Sequence, residues 1–144
     1  MNSILSFDSY SVIESIYRHN PFVDLETEDV SPNFKLKIKY ENEERRNAAL
    51  FLTTELGDKE LGENSFYIKA TILGVFSLER DDEVSEEFVN HMYRKNALAI
   101  LYPYMRSLVS DLSSKGDEIP IILPPINIGA MAEDKNIITE EYHK

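Results

Sequence analysis

The segment Ser65 to Leu78 constrains this chain more than any other, because it is apolar on two sides. Phe66, Ile68, Ala70, Ile72, Phe76 and Leu78 share one face of an extended strand, while Tyr67, Leu73 and Val75 add apolar bulk to the other. A sheet with one solvated face has no need of apolar residues on both sides. Something has to cover the second side: a helix, a neighbouring subunit or a ligand. Gly74 interrupts the strand, and its missing side chain points to a bulge or a close backbone approach.

Neighbouring segments supply strand partners. Asn33 to Glu41 alternates Phe34, Leu36, Ile38 and Tyr40 against Lys35, Lys37 and Lys39, which makes one apolar face and one lysine ladder. At a sheet edge such a ladder discourages foreign pairing. Asn47 to Leu56 aligns Ala48, Leu50, Leu52 and Leu56, and the polar stretch Glu41 to Arg46 is short enough to join the two as a hairpin. Tyr10 to Arg18 alternates less sharply and ends at Asn20-Pro21, while a Gly-bearing loop, Gly57 to Asn64, leads into the long strand.

The second half reads as helical. The acidic run Asp81 to Glu87 suits a helix N-terminus, with Ser85 as cap. Leu98, Leu101, Met105, Leu108 and Leu112 follow at intervals of three and four, a heptad seam that Ala97, Ile100 and Tyr104 widen. Pro103 falls inside it, where a proline costs about 3 kcal/mol and bends the helix. Lys115-Gly116 is expected to close the helix with a left-handed cap. Ile119 to Ile128, IPIILPPINI, must run extended and cannot be a central strand. The expectation is one domain over residues 1–132, followed by an acidic, frayed tail over 133–144.

Charge and composition exclude several classes. Lys plus Arg number 15 against 26 for Asp plus Glu, and the net charge of −11 disfavours nucleic acid as a partner. With no cysteine there is no disulfide framework or thiolate metal site. No apolar run approaches the roughly 20 residues that membrane insertion needs, and Met1 to Tyr10 lacks the cation that opens a signal peptide. No Gly-rich phosphate loop points to ATP. A cytoplasmic location is expected. His19, His91 and His143 are the histidines, and Glu87 and His91 stand four apart, but a zinc site of that kind needs a second histidine. No serine lies in a nucleophile-elbow string. The chain is expected to be non-enzymatic, with no cofactor and no metal.

Three strings resemble the SecB-type protein-export chaperones: GVFSL at Gly74 to Leu78, LYPYMRSLVSDLSSKG from Leu101 to Gly116, and LPPIN at Leu123 to Asn127. The resemblance is specific in spacing across Ser65 to Asn127, accounts for Pro103, and before Ser65 extends only to strand count and hairpin order. It implies an α+β fold, a four-stranded antiparallel sheet backed by a long C-terminal helix, assembled as a dimer of dimers. It also implies a holdase that keeps unfolded polypeptide clients in apolar surface grooves without ATP and passes them to the SecA motor. Two departures bear on this. Lys69 stands where the family's last strand places an acidic residue used in contacting SecA, which puts that motor contact in question. The family's apolar last helix is shortened or absent, since Ile128 to Ala132 runs quickly into Glu133-Asp134. SecB-like chaperones dedicated to one partner, such as an antitoxin, also exist, and Lys69 favours that reading. A non-chaperone binding domain on the same layout is the other alternative.

The candidate site residues follow from these patterns. Leu73, Val75, Phe76, Tyr102, Leu123, Pro124 and Ile126 are the expected client contacts, Tyr102 because it lies off the seam. Ile68, Ala70, Leu98, Leu101, Met105, Leu108 and Leu112 are the expected interface of a homotetramer.

Overall fold

The alternating segments all become strands, but the sheet they build has a member that the sequence pattern hides. A computed structural model describes residues 4–23, 31–61, 66–81, 83–116 and 120–143. Its strands are β1 (Ile4–His19), β2 (Asn33–Tyr40), β3 (Asn47–Gly57), β4 (Phe66–Glu79) and β5 (Ile138–Tyr142). They form one five-stranded sheet in the order β1-β4-β3-β2-β5. Pairing is antiparallel between β1 and β4, β4 and β3, and β3 and β2, whereas β5 runs parallel to β2. The four-stranded antiparallel expectation is therefore corrected to a five-stranded mixed sheet. The correction comes from the expected frayed tail: Glu141 sets its carboxylate 3.1 Å from Lys37 and 4.0 Å from Lys39 of the lysine ladder.

β1 is longer than Tyr10 to Arg18, and its blurred alternation has a cause. The β1–β4 register slips between Phe7 and Ser9 and again between Val12 and Glu14. Each slip of one residue moves the following side chains to the other face, so a single period-2 reading fails along the strand. Tyr10 and Val12 fall opposite Gly74 and Ile72.

Ser85 caps α1 (Glu86–His91) by accepting from the Phe88 N–H at 3.1 Å. One π-helical turn, Met92–Asn96, links α1 to α2 (Ala97–Ser113), and a short α3 (Ile128–Glu133) precedes β5. α2 lies across the face carrying Leu50, Leu52, Ile68, Ala70, Ile72 and Phe76, all with no exposed surface. Gly74 permits the approach: a side chain there would bring its Cβ to 2.6 Å from Leu101 Cδ2. The helix closes on Ser114, and Gly116 is not left-handed. What Gly116 supplies is space, because a Cβ would stand 2.2 Å from Tyr17 Oη.

The heptad seam is consequently internal. Leu98, Leu101 and Met105 are fully buried, Leu112 nearly so, and Leu108 packs partly buried against the same core. The chain's own sheet covers most of the stripe that the sequence pattern sets against a second copy. Ile68 and Ala70 lie in that core as well.

Arg45, in the β2–β3 turn at φ 56°, ties α1 to the sheet. Its guanidinium donates to Asn90 Oδ1, to the Glu86 carboxylate and, at 3.2 Å, to the Glu86 carbonyl. Tyr93 donates its hydroxyl to the Arg45 carbonyl at 2.7 Å. Arg45 and Arg80 together hold the Glu86 carboxyl below the usual carboxylate range.

Candidate functional site

The Pro-rich connector runs extended along α2, and side chains of the helix hold it there. Three prolines remove three backbone donors from this stretch, so its carbonyls have few local partners. Tyr102, Arg106 and Ser110 stand four apart on one face of α2 and take up those carbonyls in turn. Tyr102 donates its hydroxyl to the Pro124 carbonyl, Arg106 Nε to Leu123 at 2.9 Å, and Ser110 Oγ to Ile121 at 3.1 Å. At the far end Ser113 Oγ accepts the Ile121 N–H at 2.7 Å. Burial pushes the Tyr102 phenol up despite the neighbouring Arg106, which keeps the hydroxyl protonated as a donor.

This clamp divides the connector's side chains between the core and solvent. Leu123 goes into the core at 1% exposure, with Ile121 and Ile126 packed beside it. Ile122 points outward at 71% exposure, followed by exposed Pro124 and Pro125. The result is a short apolar ridge on a backbone that has three carbonyls, those of Ile121, Leu123 and Pro124, already engaged.

A second exposed apolar area lies where β1 meets α2. Tyr104 packs its ring, tilted by 36°, against Tyr10 at 4.6 Å and meets Phe7 edge-on at 5.6 Å, and Phe7 in turn stacks on Phe76 at 5.1 Å. Tyr10, Val12, Ile13 and Tyr104 each keep more than a third of their surface in water.

The structure does not gather the expected client residues in one place. Phe76 is buried under α2. Leu73 and Val75 are half-buried on the opposite face of β4, in register with Phe51 and Ala49 of β3. Tyr102 is 6% exposed and packs edge-on against Phe34 at 5.7 Å, so of the two tyrosines flanking Pro103 the exposed one is Tyr104. Leu123 faces inward, and Pro124 alone of that set is exposed. Lys69 lies on the outer face, 3.7 Å from Glu14. Ile119, which begins the connector, and Ser65 lie outside the described residues. Sequence reasoning missed Arg106, Ser110 and Ser113, although the spacing of four from Tyr102 to Arg106 and Ser110 was visible; Ile122 was readable only as part of an apolar run.

Among the described residues no group of His, Cys, Asp and Glu is placed to hold a metal ion, and no helix is long and apolar enough to cross a membrane. The family model described as preprotein translocase subunit SecB matches residues 13–137. An uncharacterized protein of Methanocaldococcus jannaschii is 29% identical over 143 residues, covering 95% of this chain and 88% of that one. The protein-export protein SecB of Nitrosospira multiformis is 30% identical over 120 residues, covering 83% of this chain and 74% of the relative. Among solved structures, a SecB-like chaperone of Mycobacterium tuberculosis, in complex with a peptide from the HigA1 antitoxin, superposes with a TM-score of 0.69. That match covers 85% of this chain and 91% of the other at 13% identity, a likeness of fold. With the family's pattern spanning from β1 to the threshold of β5, this chain is a member of the SecB family of chaperones.

Proposed function

We propose that this SecB-family chain is an ATP-independent holdase, and that non-native polypeptides bind to the outward ridge of its connector. The observation that carries the reading is Ile122, 71% exposed between prolines on a stretch that α2 fixes in place. A ridge with three of its carbonyls already taken and three N–H groups replaced by proline offers clients mainly apolar contact in place of a specific hydrogen-bond pattern. Each Leu- or Phe-sized client group buried on it contributes about 1.5–3 kcal/mol. Several such weak contacts in one assembly add through effective concentration. A net charge of −11 keeps a protein with this much exposed apolar surface in solution.

Assembly as a homotetramer belongs to the same reading, with Tyr10, Val12, Ile13 and Tyr104 taking the part once given to the buried seam. So does hand-over to SecA in export, although Lys69, paired with Glu14, stands on the outer sheet face where that contact would form. A second reading, a chaperone dedicated to one partner such as an antitoxin, is favoured by Lys69 and by the fold shared with a neighbour bound to an antitoxin peptide.

The test is suppression of aggregation for several unrelated denatured proteins, without ATP and near stoichiometric ratio. Wild type is expected to protect most of them, and Ile122→Asp to lose protection while keeping its far-UV spectrum. Protection of none refutes the holdase reading. Protection of one alone selects the dedicated chaperone.

A further inference from the structure

The outer edge of β2 is closed by the chain's own last residues, and the closure is built from charge. β5 aligns with β2 from Leu36 opposite Ile138 to Tyr40 opposite Tyr142. The Leu36 N–H donates to the Ile137 carbonyl at 2.9 Å and the His143 N–H to Tyr40 at 3.0 Å. Between these ends Glu140 enters a socket. One of its oxygens accepts the Tyr40 hydroxyl and the other the Arg94 guanidinium. The Glu140 side chain is only 19% exposed there. Arg94 is delivered by the π-helical turn, and its Nε is buried with no acceptor, so the guanidinium has a donor to spare. Glu141 points to the opposite face and meets Lys37 and Lys39. Tyr142 packs its ring, tilted by 35°, against Tyr40 at 5.1 Å.

Little apolar burial supports this strand. Thr139, Glu141 and Tyr142 are exposed, and Ile138 is half-buried. An edge strand held by a five-residue parallel ladder and ion pairs belongs to the low-stability end of a structure. β2 beneath it is the reverse: Leu36, Ile38 and Tyr40 are core residues, and the receiving groups Arg94, Tyr40, Lys37 and Lys39 are anchored on elements of that core.

We propose that the edge of β2 is a docking site for an extended segment of another polypeptide bearing two successive acidic residues and then an aromatic one, with β5 as its resident, displaceable occupant. The main chain of the incoming segment adds as a strand, and its first carboxylate takes the socket of Tyr40 and Arg94. Its second carboxylate lies along Lys37 and Lys39, and its ring covers Tyr40. The site uses none of the connector residues. Because β5 is tethered, it competes at an effective concentration on the order of millimolar, and an outside segment enters mainly when β5 is weakened.

The experiment uses the full chain and a labelled peptide, IITEEYH, copying Ile137–His143. Glu140→Lys with Glu141→Lys sets the tethered strand against Arg94, Lys37 and Lys39. The peptide is expected to bind this variant about tenfold or more tightly than wild type by fluorescence anisotropy. A second variant guards against misfolding of the first. Lys37→Glu with Lys39→Glu changes half-exposed side chains, and should prefer a peptide with Lys in place of Glu141 over IITEEYH. Equal affinity of wild type and the first variant, indifference of the second to the peptide's charge, or no binding to either variant overturns the proposal. A wild-type dimer that the peptide dissociates assigns the edge to a second copy and overturns it as well.

Discussion

Removing one oxygen at Ser113 tests whether α2 holds the connector or the connector only rests on it. Ser113 is 4% exposed; its Oγ accepts the Ile121 N–H at 2.7 Å and donates to the Ser110 carbonyl at 3.2 Å. The second bond reaches back within its own helix, an arrangement that slightly destabilises helices, so losing it costs little. The first bond decides. In Ser113→Ala the half-buried Ile121 N–H faces a methyl group, and an unmatched donor of that kind costs about 1–3 kcal/mol. Leu123 remains in the core in the variant, contributing about 1.5–3 kcal/mol, so the connector loosens at one end and does not leave. Hydrogen exchange at the Ile121 amide is therefore expected to lose protection by roughly 5–150-fold, the factor that corresponds to about 1–3 kcal/mol. Ser110→Ala is the comparison. It frees the Ile121 carbonyl, an acceptor that can turn to water, and should cost only about 0.5–1.5 kcal/mol. An Ile121 amide unchanged in Ser113→Ala, or weakened as much by Ser110→Ala, would refute the clamp.

Gly74→Ala should lower the urea midpoint by an amount worth about 1–3 kcal/mol, because the new Cβ would stand 2.6 Å from Leu101 Cδ2 and 2.8 Å from the Phe76 ring, both fully buried. A neutral result would mean that α2 does not approach β4 so closely. On the outer face, burial and the Glu55 carboxylate raise the Tyr67 phenol from 10.0 to about 12. The folded state then binds a proton that the unfolded chain releases, so this contribution is present below pH 10.0 and is lost as pH rises toward about 12. Unfolding midpoints from pH 9 to 12 (roughly the span that brackets both values) should fall, with a shallower slope in Tyr67→Phe; an equal slope contradicts the assignment.

How far this fold could be read from its sequence depended on whether the deciding interaction was local. Leu98, Leu101 and Met105 declare a buried stripe by spacing alone, but spacing is silent on what buries it. The answer required knowing that Gly74 opens β4 to a helix, a contact between segments far apart in the chain. Ile138 to Tyr142 is polar, and local composition made it a frayed tail; it becomes a strand because Lys37, Lys39 and Arg94 wait for its two glutamates. The connector's extended course followed from its prolines. Its attachment did not, because the partners of Tyr102, Arg106 and Ser110 are backbone carbonyls, which every residue carries and no sequence distinguishes.

The same limit explains the exchange of Tyr102 for Tyr104. Distance from the seam identifies the residue that avoids the sheet, which is not the same as the residue open to another chain. In this fold α2 has two coverings, the sheet below and the connector beside it. Leaving the seam therefore carries Tyr102 under the connector, where Pro124 takes its hydroxyl, and leaves Tyr104 with the open side against Tyr10. A surface for other chains is thus whatever remains after both coverings are subtracted, and on α2 that remainder is centred on Tyr104 and continued by Tyr10 and Val12 of β1.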